Sequence, residues 1–124
     1  GRVTAIDMNS GDHLWMIANA DTPTNIKNHR LLEGIDIPRT GIPTRAGVLL
    51  TKELLFIAEG TGGVGASPIF RAVDKATGEI IAEIDLPANQ GGIPFTYEAD
   101  GKQYVAMFIT SGSSAAELVA YSLP

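Results

Sequence analysis

Apolar and polar residues alternate along most of this chain in short runs, and the runs are bounded by Gly, Pro, Asn and Asp. That period of two belongs to half-buried strands rather than to helices. The run Val3–Asp7 (VTAID) leads into MNSG, and Leu14–Ile17 (LWMI) leads out, which reads as a β-hairpin. AGVLLTKELLFIAEG reads as two strands joined at a tight Thr51–Glu53 turn. PFTYEADGKQYVAMFIT reads as another hairpin, with Ala99-Asp100-Gly101 as its turn. The segment 18–46, carrying Pro23, Pro38 and Pro43, breaks the rhythm and reads as a long irregular excursion.

One phrase occurs twice. Thr4–Ile17 (TAIDMNSGDHLWMI) aligns with Arg71–Ile84 (RAVDKATGEIIAEI) at an offset of 67 residues, with four of fourteen positions identical. Each copy reads as strand, turn, strand. Asp7 and Asp74 stand where a carboxylate accepts hydrogen bonds from the turn. Gly11 and Gly78 stand where such a loop needs positive φ. A decayed third copy lies at Leu118–Ser122 (LVAYS). Two hairpins in tandem give units of four short antiparallel strands, and their repetition points to propeller blades. On this reading 1–17 ends one blade, 18–46 is the excursion, 47–87 is one blade and 88–124 is most of another. Trp15 recurs as Ala82, so it reads as packing between blades rather than a cofactor platform.

Composition narrows the picture without changing it. The 124 residues are 44% hydrophobic and 19% charged, a globular balance for one modest domain. A net charge of −5 argues against a nucleic-acid partner. With no cysteine there is neither a disulfide nor a thiolate metal site. No apolar run has the length of a membrane-spanning helix. The first residues, GRVTAID, enter in mid-pattern without an initiator Met, so a piece of a longer protein is expected.

Candidate chemistry is sparse. Residues 60–65 (GTGGVG) match G-x-G-x-x-G after an apolar run, and Asp85 follows Gly65 by 20 residues, the spacing of a dinucleotide fingerprint. That reading demands a helix from Ala66, yet the same residues repeat the hairpin phrase, and Gly78 would stop the helix within three turns; a surface loop is the expected role. His13 falls on an outgoing strand and His29 in the excursion, with no second histidine at metal-ligand spacing. Glu98 and Asp100 flank a turn, and Glu33 with Asp36 has no evident partner. The run SGSS at 111–114 lacks the final Gly of a nucleophile elbow. Arg71 opens a repeat copy on a strand, where a structural ion pair is expected.

Several phrases in order, GRVTAIDMNSGDHLW, PTRAGVLLTKELLFIAEG, RAVDKATGEIIAEIDLPANQGGIPFTYEADGKQYVAMF and LVAYSLP, resemble the C-terminal end of pyrroloquinoline-quinone (PQQ)-dependent quinoprotein dehydrogenases, nearest the membrane-type glucose, polyol and quinate branch. The phrase A-x-D-x-x-[ST]-G-x-x-x-W is that family's tryptophan-docking motif, shared with non-enzymatic propellers. The tail pattern G-x-P-x-T-Y, G-K-Q-Y-V, V-A-Y-x-L-P is more specific. The resemblance implies an all-β fold, the C-terminal blades of an eight-bladed β-propeller, with PQQ and Ca²⁺ near its axis. It implies an alcohol, polyol or sugar substrate, a catalytic Asp that assists removal of the hydroxyl proton as hydride passes to the quinone, and a membrane quinone or cytochrome as electron acceptor. It also implies a periplasmic location.

In that family the catalytic Asp, the metal ligands and most quinone contacts lie in earlier blades, so no catalytic or metal-binding residue is assigned here. Only the loop after Q-Y-V is carried over, as lining of the active-site mouth: Ser111, Gly112 and Ser113. This loop has one glycine and lacks the histidine of the sugar-oxidising branch. EGTGGVGASPIFRA is also longer than the corresponding turn of relatives. The piece alone is expected to be inactive and, with open strand edges, to self-associate. The alternative from another class is a non-catalytic propeller of the same repeats acting as an assembly scaffold.

Overall fold

The computed structural model describes residues 1–60, 65–111 and 115–122. Three antiparallel sheets stack in chain order. Strands β1 (Arg2–Ile6) and β2 (His13–Ala18) form a hairpin. Strands β3 (Val48–Leu50), β4 (Leu54–Ala58), β5 (Ile69–Asp74) and β6 (Ile80–Asp85) form a four-stranded meander in sequence order. Strands β7 (Asn89–Gln90), β8 (Phe95–Ala99), β9 (Lys102–Thr110) and β10 (Glu117–Ser122) form the third sheet. Here β7 and β8 share one edge of β9 while β10 pairs along the other, so four strands make three rows. The break between β7 and β8 is Gly91–Pro94, where proline cannot donate to the ladder.

Alternation fails in LLFIA because both faces of β4 are covered. Leu55 and Ile57, with Val73 of β5, pack against Val3, Trp15 and Ile17 of the first hairpin. Ala58 and Phe70 join Leu86, Met107 and Ile109 in a second cluster against the third sheet. A continuous apolar run is what a strand buried on both faces requires. The outer faces of the stack are different: Leu14 and Met16 on the first hairpin, and Phe108 and Leu118 on the last sheet, are all at least half exposed.

The two repeat copies adopt one geometry. Asp7 Oδ1 accepts from the N–H groups of Asn9 and Ser10, and Asp74 Oδ1 from those of Ala76 and Thr77. These bonds favour the ionised carboxylate and hold both groups below the ordinary Asp range, the Asn9 and Thr77 amides contributing most. Gly11 and Gly78 have φ of 81° and 79°, and each copy carries a register shift just before its turn. The dinucleotide pattern at 60–65 is followed by strand β5, hydrogen-bonded between β4 and β6, where a Rossmann unit needs a helix. The dinucleotide reading therefore fails on backbone pairing; residues 61–64 themselves lie outside the described residues. The excursion at 18–46 contains one short helix, α1 (Thr24–Lys27), and a 3-10 turn at Arg30–Leu32.

Trp15 joins the first hairpin to the middle sheet. Its indole lies on Gly78, where an added Cβ would come within 2.8 Å of the ring, and its Nε1 donates to the Lys75 carbonyl at 3.0 Å. Gly78 is thus required twice, by its positive φ and by the indole above it. Gly78→Ala should lower stability by more than about 1 kcal/mol, because strain and clash add. The single tryptophan makes the outcome readable: emission should shift to the red and thermal unfolding should move down. Unchanged emission in Gly78→Ala would show that Trp15 is not seated there.

Candidate functional site

Strand registers divide the stack into two unlike ends. One end carries the tight turns at 7–12, 51–53, 74–79 and 100–101. At the other, the chain leaves β2, β4, β6 and β9 at Asn19, Glu59, Leu86 and Ser111. The buried polar side chains Asn19, Thr22 and Glu59 lie just beyond the strands at this end, Gln90 lies in the short β7, and Arg71 is the third residue of β5 from the same end. Buried polar groups need partners; Thr22 pairs with Pro38 and Thr40 within the excursion, and the others form two networks.

The first network centres on the peptide groups of Ala58. Its N–H donates to Gln90 Oε1 at 3.1 Å, and its carbonyl accepts from Asn19 Nδ2 at 3.2 Å. Gln90, fully buried, also donates to the carbonyls of Gly47 and Gly92 at 2.9 and 2.7 Å. One side chain therefore ties the start of β3, the end of β4 and the break after β7. Asn19 plays the matching role on the opposite face. Its backbone N–H donates to Gly1 O, and its carbonyl accepts from Ile42 N, which closes the neck of the excursion.

The second network is ionic. Arg71 Nη2 donates to Glu59 Oε1 at 2.7 Å and Nε to Glu83 Oε1 at 2.5 Å. Arg71 and Glu59 are buried, while the Glu83 side chain is 47% exposed. The second oxygen of Glu59 accepts from Ser67 N at 2.6 Å, so the carboxylate also holds the returning arm of the 59–68 connection. Arg71 Nη1 and Asn89 Oδ1 are buried without hydrogen-bond partners. The structural ion pair expected at Arg71 is present. Asn19, Glu59 and Gln90 carried no such expectation, although a glutamate directly after LLFIA was a visible anomaly.

Of the loop proposed from sequence, Ser111 is exposed and lines a hollow of about 100 Å³ with Thr110, Ala88 and Glu117. Gly112 and Ser113 lie outside the described residues. His13 is exposed on β2, and His29 Nδ1 accepts from Leu31 N at the 3-10 turn. Glu33, Asp36, Glu98 and Asp100 are all exposed. Among the described residues no group of three or more His, Cys, Asp or Glu could hold a metal ion. The two networks are built of carboxamides and paired ions, a set that orients backbone rather than transferring protons.

Stacked four-stranded antiparallel sheets, tight turns at one end and long connections at the other, are the architecture of propeller blades. The sequence agrees: residues 1–105 match the profile of the PQQ glucose/ethanol/alcohol dehydrogenase β-propeller domain, and the chain belongs to that family. It is 33% identical over 136 aligned residues to the glycerol dehydrogenase large subunit of Gluconobacter thailandicus. It is 27% identical to the quinoprotein glucose dehydrogenase of Gluconobacter oxydans and 28% identical to quinoprotein glucose dehydrogenase A of Acinetobacter calcoaceticus. All of this chain is covered in each case, but only 17%, 16% and 15% of the respective relatives. The chain thus spans about a sixth of their length.

The family implies PQQ, and typically Ca²⁺, and the described residues do not fit either group. A Ca²⁺ site needs clustered oxygen ligands, and no such cluster is formed. PQQ is a planar tricarboxylate, yet the one buried cation among the described residues, Arg71, is already held between two carboxylates.

Arg71→Met would leave Glu59 buried and uncompensated, at a cost of about 3–5 kcal/mol. Glu83→Gln should cost far less, because Glu83 keeps its water. Urea unfolding of the two variants should rank them in that order. Equal stabilities would contradict the ionic network.

Proposed function

We propose that this chain is part of a PQQ-dependent dehydrogenase that oxidises an alcohol, polyol or sugar and passes electrons to a membrane quinone or a cytochrome. The observation that carries the reading is the family match over residues 1–105, joined to relatives that are glycerol and glucose dehydrogenases. Alcohol oxidation of this kind is the cofactor's chemistry; a surrounding protein binds and orients the groups. We place PQQ, Ca²⁺ and the catalytic groups in other blades. Alone, the chain is inactive.

The exposed apolar faces at both ends of the stack support remaining blades as the immediate partners. Ile6, Leu14 and Met16 crowd one face, and Phe95, Phe108 and Leu118 the other. Exposed patches of this kind mark interfaces. We assign the assembled enzyme to the periplasm, and Trp15 to the family's tryptophan docking between blades. The loop at Ser111, Gly112 and Ser113 is assigned to the active-site mouth; Ser111 stands at the end of the sheets that carries the long connections. A scaffold propeller without catalysis is the second reading, supported by the glycine-poor loop at 110–114.

The test is dye reduction by the longer protein, across sugars, polyols and alcohols, with PQQ and Ca²⁺ added together and singly. Turnover that requires both additions is expected. Failure of the protein both to turn over and to bind PQQ in an absorbance titration would favour the scaffold. The 124-residue chain should show no turnover and should self-associate. A clean monomer across a concentration series in sedimentation would contradict the role given to its faces.

A further inference from the structure

The two copies of the repeat are equivalent in backbone but not in what they dock. In the first, Ala5 pairs across the strands with Trp15, whose indole reaches the neighbouring sheet. In the second, Ala72 pairs with Ala82 in the same register, and no indole is there. A hollow adjoins this position. A cleft of about 660 Å³ opens between the middle and third sheets at the tight-turn end, walled by Phe56, Ala72, Ala82, Ile84, Val105 and Tyr121.

We propose that this cleft is a binding site for a small planar aromatic heterocycle of the indole type. Its deep wall includes the stacked pair Phe56–Phe70, with ring centroids 5.8 Å apart and planes within 21°. Flat rings favour such a surface, in offset-stacked or edge-to-face contact. The cleft continues the apolar cluster that already joins the sheets, since Phe56, Phe70, Val105 and Tyr121 belong to both. A ring seated at Ala82 would extend that cluster as Trp15 extends the one on the opposite face of the middle sheet.

The occupant's chemistry follows from the internal template. Trp15 shows what fits between two of these sheets at this strand position: a planar apolar body with one ring N–H, donated to a backbone carbonyl at 3.0 Å. The rim of the cleft offers polar groups for such a donor, among them Thr51, Glu53 and Gln103. The volume lies within the range of small-molecule sites, which are mostly apolar with a few polar groups that fix orientation. Apolar cavities of sufficient size accept aromatic ligands without rearranging the fold. Ala82 and Ile84 are exposed, so the site opens to solvent.

The chain has no cysteine, so Ala82→Cys places a single thiol on the cleft wall. Saturating free indole should slow alkylation of that thiol, while a thiol at Ser10→Cys, on an exposed turn, should react at an unchanged rate. Ala82→Trp should place a ring on the wall where indole is proposed to sit, raise the melting temperature and abolish the saturable indole signal in ligand-observed NMR. No protection of Ala82→Cys, equal protection of both thiols, or indole binding that persists in Ala82→Trp would overturn the proposal. Protection that grows with protein concentration in the absence of indole would also overturn it, because a second copy of the chain would then be the occupant.

Discussion

Ala58 sits at the end of β4, and side chains from both neighbouring sheets reach its backbone N–H and carbonyl. Its N–H is met by Gln90 from the third sheet, and its carbonyl by Asn19 from the end of the first hairpin. Leaving either backbone group buried and unpaired would cost about 1–3 kcal/mol. The sheets therefore cannot slide past β4 without breaking a bond that water does not replace. Apolar packing alone does not impose that condition, since hydrophobic contact is non-directional. The carboxamides supply the register, and the clusters around Val73 and Met107 supply most of the burial.

The two ends of the stack divide the work. At the long-connection end, Gln90, Asn19 and the Glu59–Arg71–Glu83 network fix where each loop leaves its sheet. At the tight-turn end, register is set locally by Asp7 and Asp74, and docking falls to Trp15. Trp15 packs on Gly78 at the first interface, and at the second Ala82 stands in the matching position beside a cleft.

Much of this fold could be read from sequence, for a local reason. Turns such as Ala99-Asp100-Gly101 and the Asp–Gly pairs of the repeat act within a few residues, and all form as expected, with Asp100 and Gly101 both at positive φ. The apolar run Leu54–Ala58 reads as a strand and forms one, and the structure adds that both its faces are covered. What sequence did not disclose was long-range polar pairing. Gln90 and Ala58 are 32 residues apart, and Asn19 and Ala58 are 39 apart. No periodicity encodes such partners. The break between β7 and β8 was missed because Gly91–Pro94 interrupts one row without ending it. Site chemistry was the least legible, since no metal-binding cluster forms among the described residues.

Native-state hydrogen exchange at the Ala58 amide tests the central claim most directly. If its bond to Gln90 is the stitch between sheets, this amide should exchange only through global unfolding, among the slowest in the chain. Gln90→Leu, which keeps the bulk and removes the acceptor, should bring it into the fast-exchanging class while the amides of β5 stay protected. Rapid exchange at Ala58 in the unsubstituted chain, or protection unchanged by Gln90→Leu, would contradict the account.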